Sequence, residues 1–335
     1  MDPITQGALG AAVPQAFAVT RNGPVVVAGC FGFLAGLAAD LDILIHSAED
    51  PLLFLEFHRQ FTHALIFIPV GGLVTATLLY LLTGWCLKLP FWRTLLFCTL
   101  GYGTHGLLDF ATSYGTMLLW PFSEERFAAS IISIIDPLFT VPVVALVAVA
   151  GIKRSSLYAR LALVWICLYL TLATVQRNAA LELAENMLTA RGHTSERLTV
   201  KPTFGNILVW RSVYEAAGRF HVDGLRVGIA PRVYPGPTVL RLNPDRDFPW
   251  LNPKSQQRRD IDRFVQFSQG YASKSLDDPN AIIDVRYAFL PHTLGALWSI
   301  VLSQNVGLDQ HVQFQTNRRD ASAQLLVLWQ LLTAE

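Results

Sequence analysis

The sequence predicts a multi-pass α-helical membrane domain of five to six helices, followed by a soluble α+β domain. The first observation is composition: 52% of the 335 residues are hydrophobic and only 15% are charged, whereas about a quarter of a soluble domain is charged. The second is the presence of long, nearly uncharged segments such as residues 64–87, which are long enough to cross a bilayer. The third is a change near Arg177, after which charges are frequent and apolar runs are short. A buried soluble core is the alternative, and the number of such segments disfavours it.

The first domain, residues 1–176, is predicted to contain the apolar helices. Their predicted ranges are 3–20, 24–45, 62–86, 94–112, 134–152 and 157–176. Gly32 and Gly36 have the small-xxx-small spacing that lets membrane helices approach closely. Asp136 followed by Pro137 is typical of a helix start, with the carboxylate as N-cap.

The second domain, residues 177–335, has the pattern of a soluble α+β domain. Alternating apolar stretches predict strands at 207–213, 219–229 and 282–289, and two other segments, 260–267 and 321–332, read as helices.

The charges of the connecting loops predict the orientation of the first domain. One set of loops carries Arg21, Lys88, Arg93, Lys153, Arg154 and Arg160, and the other carries only Arg59 and Arg126. By the positive-inside rule the first set is cytoplasmic, so the C-terminal domain is expected to be extracytoplasmic. The net charge of +1 gives no electrostatic reason to expect nucleic acid as a partner.

Seven ionisable side chains lie in or beside the apolar segments, where they are costly and usually mark a functional site. They are Asp40, Asp42, His58, His63, His105, Asp109 and Asp136. All seven fall at the same predicted side of the membrane. Because Asp and His are the ligand types that zinc and manganese prefer, we interpret all seven as candidate ligands of a divalent metal.

The spacing of these residues favours different local arrangements. His105 and Asp109 are one helical turn apart and share a face, although a hydrogen-bonded pair between helices is the alternative. Asp40 and Asp42 diverge on a regular helix but can both face inward at a fraying end, or one of them can face water. His58 and His63 fit a junction between a loop and a helix, where Thr62 is a candidate helix cap.

Three of the residues around this site have predicted catalytic roles. Arg59 has the planar guanidinium that suits a phosphate or carboxylate, with an ordinary surface arginine as the alternative. Either Asp40 or Asp136 is the candidate general base, and capping alone could explain Asp136.

Several motifs together resemble the YdjM-like family, which comprises LexA-regulated, inner-membrane-associated proteins of bacteria described as metal-dependent hydrolases. The motifs are Met1-Asp2-Pro3-Ile4-Thr5-Gln6, Gly36 with Asp40-Leu41-Asp42, His58-Arg59 with Thr62-His63, His105 with Leu108-Asp109, Thr112 and Tyr114-Gly115, and Asp136-Pro137. The resemblance covers about residues 1–140 and is weaker afterwards, although Asn206, Trp210-Arg211 and Val285-Arg286-Tyr287 resemble the outer-domain pattern of many relatives.

One departure from the family pattern concerns the metal. The family usually has His where this chain has Gln6, and glutamine is a poor zinc ligand. The resemblance implies a metal-dependent hydrolase of the bacterial inner membrane. Its ligand pattern is also distantly similar to zinc-dependent phospholipase C and single-strand nucleases.

The sequence leads to one main hypothesis and two alternatives. The main hypothesis is a membrane-embedded hydrolase with one or two divalent ions, zinc or manganese, that uses metal-activated water on a phosphoester or lipid-linked substrate. The first alternative is a proton- or ion-coupled transporter or relay. The second is a non-catalytic membrane protein with a structural metal clamp.

Overall fold

The computed structural model of the chain describes residues 1–18, 25–84, 86–317 and 321–333. Its contacts group the chain into two compact units. The first comprises Met1–Leu44, Phe57–Thr174 and Phe204–Asn206, and the second comprises Ile45–Glu56, Val175–Thr203 and Ile207–Glu335. Arg21, which entered the orientation argument, and the predicted helix limits at residues 20 and 24 lie outside the described residues.

The N-terminal half of the described chain is helical. Its α-helices are α1 Pro3–Phe17, α2 Val25–Ala38, α3 Leu53–Phe57, α4 Ile68–Leu79, α5 Phe91–Ala111, α6 Pro137–Lys153 and α7 Ser156–Ala190. Short 3-10 turns at Ala39–Leu44, Phe61–His63 and Leu65–Phe67 connect them, and a π-helical turn follows α4 at Tyr80–Gly84. The helix predicted from residue 62 therefore begins as two short turns.

Three helical stretches of the described residues are long and apolar enough to cross a membrane. They are Val25–Leu44, Leu65–Gly84 and Ser156–Ala190. The predicted number was five to six. α1 has 15 residues and α6 has 17, which is short for a span. α5 has 21 residues, but its polar residues lower its hydropathy.

Glycines bring α1, α2 and α5 into close contact. A Cβ atom at Gly10 would lie 2.5 Å from the carbonyl oxygen of Gly32 and 2.9 Å from Cα of Gly36. A Cβ atom at Gly101 of α5 would lie 2.7 Å from Cα of Gly32. The close approach predicted for Gly32 and Gly36 is therefore confirmed, and it also involves α5.

The last helix of this half is longer than predicted, because α7 continues to Ala190 rather than ending near Gln176. Buried Ala173, Ala180, Ala184 and Met187 recur at helical spacing. The new charges after Arg177 therefore lie on an amphipathic helix rather than in a loop.

The C-terminal half contains two antiparallel four-stranded sheets in simple sequential order. The first consists of β1 Arg197–Pro202, β2 Val209–Ala216, β3 Arg219–Arg226 and β4 Arg232–Leu240, and the second of β5 Ala272–Lys274, β6 Ala281–Asp284, β7 Trp298–Val301 and β8 Gln313–Thr316. The helices are α8 Pro244–Asp247, α9 Gln256–Phe267 and α10 Ala321–Thr333. The expected strands and helices are present, but two strands are shorter than predicted. β3 ends before Gly228, whose φ is +110°, and β6 ends at Asp284, whose carboxylate accepts hydrogen bonds from Arg286.

Part of the core of the second unit comes from the segment between Asp42 and His58. Leu52 and Leu55 are buried in one cluster with Phe248, Ile261, Phe264, Ile282 and Ile300. Arg263 of α9 forms ion pairs with Asp50 at 2.8 Å and with Glu56 at 2.5 Å. The segment 45–56 is therefore held in the second unit by both apolar and ionic contacts.

Buried basic side chains organise the first sheet of this unit. The guanidinium of Arg211 on β2 donates to the carbonyl oxygens of Val285, Pro291 and Thr293. The amino group of Lys201 on β1 is buried and lies 3.4 Å from the hydroxyl of Tyr287. The carbonyl oxygens around Arg211 satisfy a charge that would otherwise be costly to bury.

Candidate metal centre

Two of the predicted ligands lie one turn apart on α5. His105 and Asp109 are both fully buried, and their side chains face the same side because residues i and i+4 are neighbours on a helix. The Nε2 atom of His105 lies 3.6 Å from Oδ2 of Asp109. α5 therefore supplies one histidine and one carboxylate to the same point.

The other two residues of this group come from the chain that follows α2. Asp40 lies in the 3-10 turn after α2, and His63 ends the short turn at Phe61–His63. The Nε2 atom of His63 lies 3.4 Å from Oδ1 of Asp40 and 3.2 Å from Oδ2 of Asp109, and Nε2 of His105 lies 3.3 Å from the same oxygen of Asp40. Asp40, His63, His105 and Asp109 are hereafter called the His/Asp cluster.

The geometry of the His/Asp cluster fits a metal ion. One ligand atom from each residue lies within 4.8 Å of the other three. Bonds of the length zinc makes to N and O ligands separate neighbouring ligands of a tetrahedron by about 3.3–3.5 Å, and the four separations above fall close to this range. Nε2 of His63, Nε2 of His105 and Oδ2 of Asp109 are buried with no hydrogen-bond partner among the described residues. Facing polar atoms without hydrogen bonds are what a shared cation would require, so the cluster could hold a metal ion.

The outer nitrogen of each histidine is held by a hydrogen-bonding group. Nδ1 of His105 donates to the carbonyl oxygen of Gly36 at 2.5 Å. Nδ1 of His63 lies 2.9 Å from the hydroxyl of Thr62 and 3.3 Å from Oδ2 of Asp42. Contacts of this kind orient metal-binding histidines and leave the other nitrogen for the ion.

Asp42 lies beside the His/Asp cluster but uses its oxygens on neighbouring protein groups. Oδ2 accepts from the backbone N–H of Arg59 at 3.0 Å and from the hydroxyl of Thr62 at 2.9 Å, and Oδ1 lies 2.9 Å from Nδ1 of His58. Thr62, the candidate helix cap, donates its hydroxyl to Asp42 instead of capping a helix. Asp42 therefore orients both histidines of the 58–63 turn.

His58 lies at the partly open side of the site. It forms a second group with Asp40 and Asp42 that could hold a metal ion. The His58 side chain is 25% exposed and that of Asp40 is 27% exposed, whereas the side chains of His63, His105 and Asp109 are fully buried. Solvent therefore reaches the centre from the side of Asp40 and His58.

Arg59 is a buried charge partner rather than an exposed anion clamp. It is 4% exposed, and its Nε lies 3.1 Å from Oδ2 of Asp109. Its Nη1 donates to the hydroxyl of Thr112 at 3.0 Å, and its guanidinium lies 4.8 Å from the ring centre of Tyr114. The backbone of Arg59 has φ +63°, a left-handed conformation that is held by the hydrogen bond to Asp42 and is typical of functional turns.

The N-terminal motif also reaches the cluster. Nε2 of Gln6 donates to Oδ1 of Asp109 at 2.9 Å, and the amino group of Met1 contacts the same oxygen. Oε1 of Gln6 is buried with no hydrogen-bond partner among the described residues. Gln6 therefore lies beside the His/Asp cluster.

Asp136 is not part of either group of candidate ligands found in the described residues. One oxygen accepts from the backbone N–H groups of Leu138 and Phe139, which makes Asp136 the N-cap of α6. The other accepts from the hydroxyl of Tyr169 at 2.7 Å. Its carboxylate is therefore occupied by a helix cap and a tyrosine.

Two further groups support the site, and the sequence motifs include only one of them. The hydroxyl of Tyr102 donates to the carbonyl oxygen of Thr62 at 2.7 Å, and Thr112 joins Arg59 to the end of α5. Thr112 and Tyr114 are present in the sequence motifs, but Tyr102 has no local signal because its partner is distant in sequence.

A helical region with three candidate membrane spans and a buried His/Asp cluster defines a membrane protein with a candidate metal site. The chain belongs to the YdjM inner membrane protein family, whose model matches residues 1–180. It matches no curated protein and no solved structure.

Proposed function

We propose that the protein is a metal-dependent hydrolase of the inner membrane, with the His/Asp cluster as its metal site. One observation carries the proposal. Nε2 of His63 and Nε2 of His105 each lie 3.2–3.6 Å from the facing oxygens of Asp40 and Asp109, and three of these four atoms are buried with no hydrogen-bond partner among the described residues. Family membership supports the location in the inner membrane.

The proposed ligands are Asp40, His63, His105 and Asp109. Two nitrogens and two oxygens suit zinc, with manganese as the alternative. Asp42 is proposed to orient the histidines, and Asp136 is left out of the ligand set because its oxygens have other partners. A second ion would use the group of Asp40, Asp42 and His58.

A bound divalent metal would polarise a phosphoryl or carbonyl oxygen and activate water as the nucleophile. The residues of the chain supply the remaining functions. Asp40 is the one partly exposed member of the cluster, so it is proposed as the ligand that yields to substrate and as the general base. His58 is held through Nδ1 by Asp42 and is partly exposed, so its Nε2 is proposed to accept or donate a proton. Arg59 compensates the charge of Asp109 and keeps that carboxylate in place.

The proposed substrate is a phosphoester or a lipid-linked molecule. Asp40 lies near the end of the candidate span Val25–Leu44, and His63 lies just before the candidate span Leu65–Gly84, so a substrate that partitions into the bilayer would reach the cluster. We further propose five to six crossings in all and an extracytoplasmic C-terminal domain, on the basis of the loop charges. The membrane domain would cover about residues 1–176 and the outer domain residues 177–335.

The first experiment measures metal content of the purified full chain by elemental mass spectrometry. About one equivalent of zinc or manganese is expected in the wild type and in the control His46→Ala, because His46 is exposed and outside the cluster. His105→Ala is expected to lose the metal. Wild-type protein that takes up no divalent ion after soaking would refute the metal site.

A structural metal clamp is the second candidate function, and full burial of three of the four ligands favours it. Structural sites have four protein ligands and no open position. His58→Ala separates the two functions, because it should keep the metal but reduce hydrolysis of generic phosphoesters by about 100-fold or more. Metal-loaded wild type without activity on any phosphoester class would favour the clamp.

A further inference from the structure

An apolar cavity of about 390 Å³ lies among α1, α2 and α6. Its lining includes Phe33 and Leu34 of α2 and Val147 of α6. Gln6 contacts the metal centre, whereas Gln15 lines the cavity, and nine residues of helix separate the two by about 13 Å. The cavity is therefore a separate site.

The side-chain amide of Gln15 presents its nitrogen to this cavity. Gln15 is 3% exposed. A Cβ atom at Gly29 would overlap Nε2 of Gln15, and one at Gly151 would lie 3.9 Å from it, and both glycines line the cavity. Oε1 is fully buried, whereas Nε2 is not, and Nε2 forms no hydrogen bond with a described residue. The amide N–H is therefore a donor that an occupant of the cavity could use.

Gln15 lies near the end of α1, where two other helices also end or begin. The last turn of α6 and the first turn of α7 pack against α1 in one buried cluster of Ala16, Ala150 and Ala159. From Gly29 the apolar lining continues along α2 to Leu34. The cavity therefore has a polar group at the helix ends and an apolar wall along the helices.

Basic side chains surround the same helix ends. Nε of Arg160 on α7 donates to the carbonyl oxygen of Ala16 at 3.1 Å, which places an exposed guanidinium beside Gln15. Lys153 and Arg154 at the end of α6 are exposed as well. Residues 3–39 and 137–181 contain no acidic residue. This end of the cavity is therefore positively charged and suits an anionic amphiphile.

The cavity is accessible from the apolar surface of a candidate span. Val26 and Leu34 both line it and are partly exposed, and both lie in the span Val25–Leu44. The surrounding medium of such a surface is lipid, so the occupant is expected to come from the bilayer. The cavity volume is at the lower end of the usual range of about 300–1,000 Å³ for ligand sites, which suits one acyl chain better than two.

We propose that this cavity binds one acyl chain of an anionic glycerophospholipid, whose ester carbonyl oxygen accepts a hydrogen bond from Nε2 of Gln15. The ester group joins the apolar and charged parts of the lipid, and Gln15 lies between the apolar lining and the basic helix ends. The acyl chain packs along α2 and α6, and the phosphate contacts Arg160. This site is independent of hydrolysis at the His/Asp cluster.

Two lipids with the same headgroup and the same chains separate the hydrogen bond from the apolar contacts. Dioleoyl phosphatidylglycerol has ester carbonyl oxygens, and its di-O-oleyl diether has none. The full chain in detergent micelles is titrated with each lipid, and native mass spectrometry measures the affinity of the first bound lipid. Alkylation by N-ethylmaleimide locates this lipid, because Cys30 lines the cavity and is exposed, whereas Cys167 is exposed on α7 outside the lining.

The diester is expected to bind the wild type about three- to tenfold more tightly than the diether, as one hydrogen bond would provide. At saturation it should slow alkylation of Cys30 and leave Cys167 unaffected. Gln15→Leu should remove the difference between the two lipids, whereas Arg160→Met should weaken both and preserve the difference.

The comparison of the two lipids uses the wild type, so it stands even if either variant does not fold. Equal affinity of the wild type for the diester and the diether would overturn the proposal. Unchanged alkylation of Cys30 at saturating diester would also overturn it, because the lipid would then be bound elsewhere.

Discussion

At the scale of single residues, some groups face the candidate metal position and others fix the orientation of those groups. Nε2 of His63 and Nε2 of His105 face the cluster, whereas their Nδ1 atoms contact Asp42 and the Gly36 carbonyl. Asp42 has three neighbouring donors, so replacing its carboxylate changes the orientation of its neighbours without removing a ligand atom from the His/Asp cluster.

Asp42→Asn is therefore expected to weaken zinc binding by about 10–100-fold, the usual effect of losing an orienting group. Asp109→Asn should abolish binding, because it removes a proposed ligand oxygen. Competition with a chromophoric chelator measures both affinities. Equal loss in the two variants would show that Asp42 is itself a ligand.

A second residue-scale prediction concerns Lys201 in the C-terminal half. The pKa of Lys201 is lowered from its usual 10.5 to about 7, mainly by burial and also by the charge of Arg286, while Asp284 opposes the change. Between these values the unfolded chain binds more protons than the folded chain, so this lysine makes stability rise with pH. The slope is at most about 1.4 kcal/mol per pH unit.

Thermal unfolding of the full chain between pH 7 and 10 tests this expectation. Lys201→Met removes the titrating group, so its melting temperature should rise less with pH than that of the wild type. Parallel pH profiles for the two proteins would mean that Lys201 is not neutral in the folded state near pH 8.

Much of the site could be predicted from residue spacing, and the rest depends on tertiary contacts. The one-turn separation of His105 and Asp109 predicts a shared face whatever surrounds the helix. Asp40 faces the two histidine Nε2 atoms, whereas Asp42 contacts their neighbours. This difference depends on the 3-10 turn that follows α2, and the spacing of the two residues in the sequence does not predict it. Whether Asp136 is a ligand or a cap depends on Tyr169, which is distant in sequence.

At the scale of elements, the site depends on the close approach of three helices. Gly10, Gly32 and Gly101 remove the side chains that would separate α1, α2 and α5. α1 carries Gln6, the end of α2 leads to Asp40, and α5 carries His105 and Asp109. A change in helix separation would therefore displace all of these groups together.

Gly101→Ala and Gly103→Ala provide a matched pair on α5. A Cβ atom at Gly101 would lie 2.7 Å from backbone Cα of Gly32, whereas one at Gly103 would lie 3.4 Å from the flexible side chain of Ile68. We expect Gly101→Ala to lose several degrees of melting temperature and most bound metal. Gly103→Ala should be neutral or stabilising by up to about 1 kcal/mol through helix propensity. Identical behaviour of the pair would argue against close packing of these helices.

The helical elements were also predictable to different extents. Apolar patterning predicts α5 and α6 to within three residues at each end. The continuation of α7 to Ala190 was missed because increasing charge was interpreted as the start of a new domain, although an amphipathic helix has the same composition.

At the scale of the whole molecule, the order of residues in the chain differs from their grouping in space. Leu52 lies between Asp42 and His58 in sequence but is buried in the core of the second unit. Its local sequence carries no signal for this, because the partners Phe248 and Ile261 are about two hundred residues away. The domain boundary proposed between residues 176 and 177 follows the change in composition. It leaves residues 45–56 in the first domain, although they are part of the second unit.

Leu52→Ala is expected to destabilise the second unit by about 2–4 kcal/mol, the usual cost of a cavity left by a buried leucine. Leu276→Ala is the matched control, because Leu276 is 69% exposed. Hydrogen exchange of strands β6 and β7 should increase in the first variant and stay unchanged in the second. Unchanged exchange in both would place Leu52 outside that core.

The position of segment 45–56 has a practical consequence for dividing the gene. A recombinant fragment that begins at residue 177 would lack Leu52 and Leu55, and Arg263 would lose Asp50 and Glu56 as partners. Such a fragment would expose an apolar surface that residues 45–56 normally cover. Chimeras between relatives would therefore need to exchange residues 45–56 together with the C-terminal half.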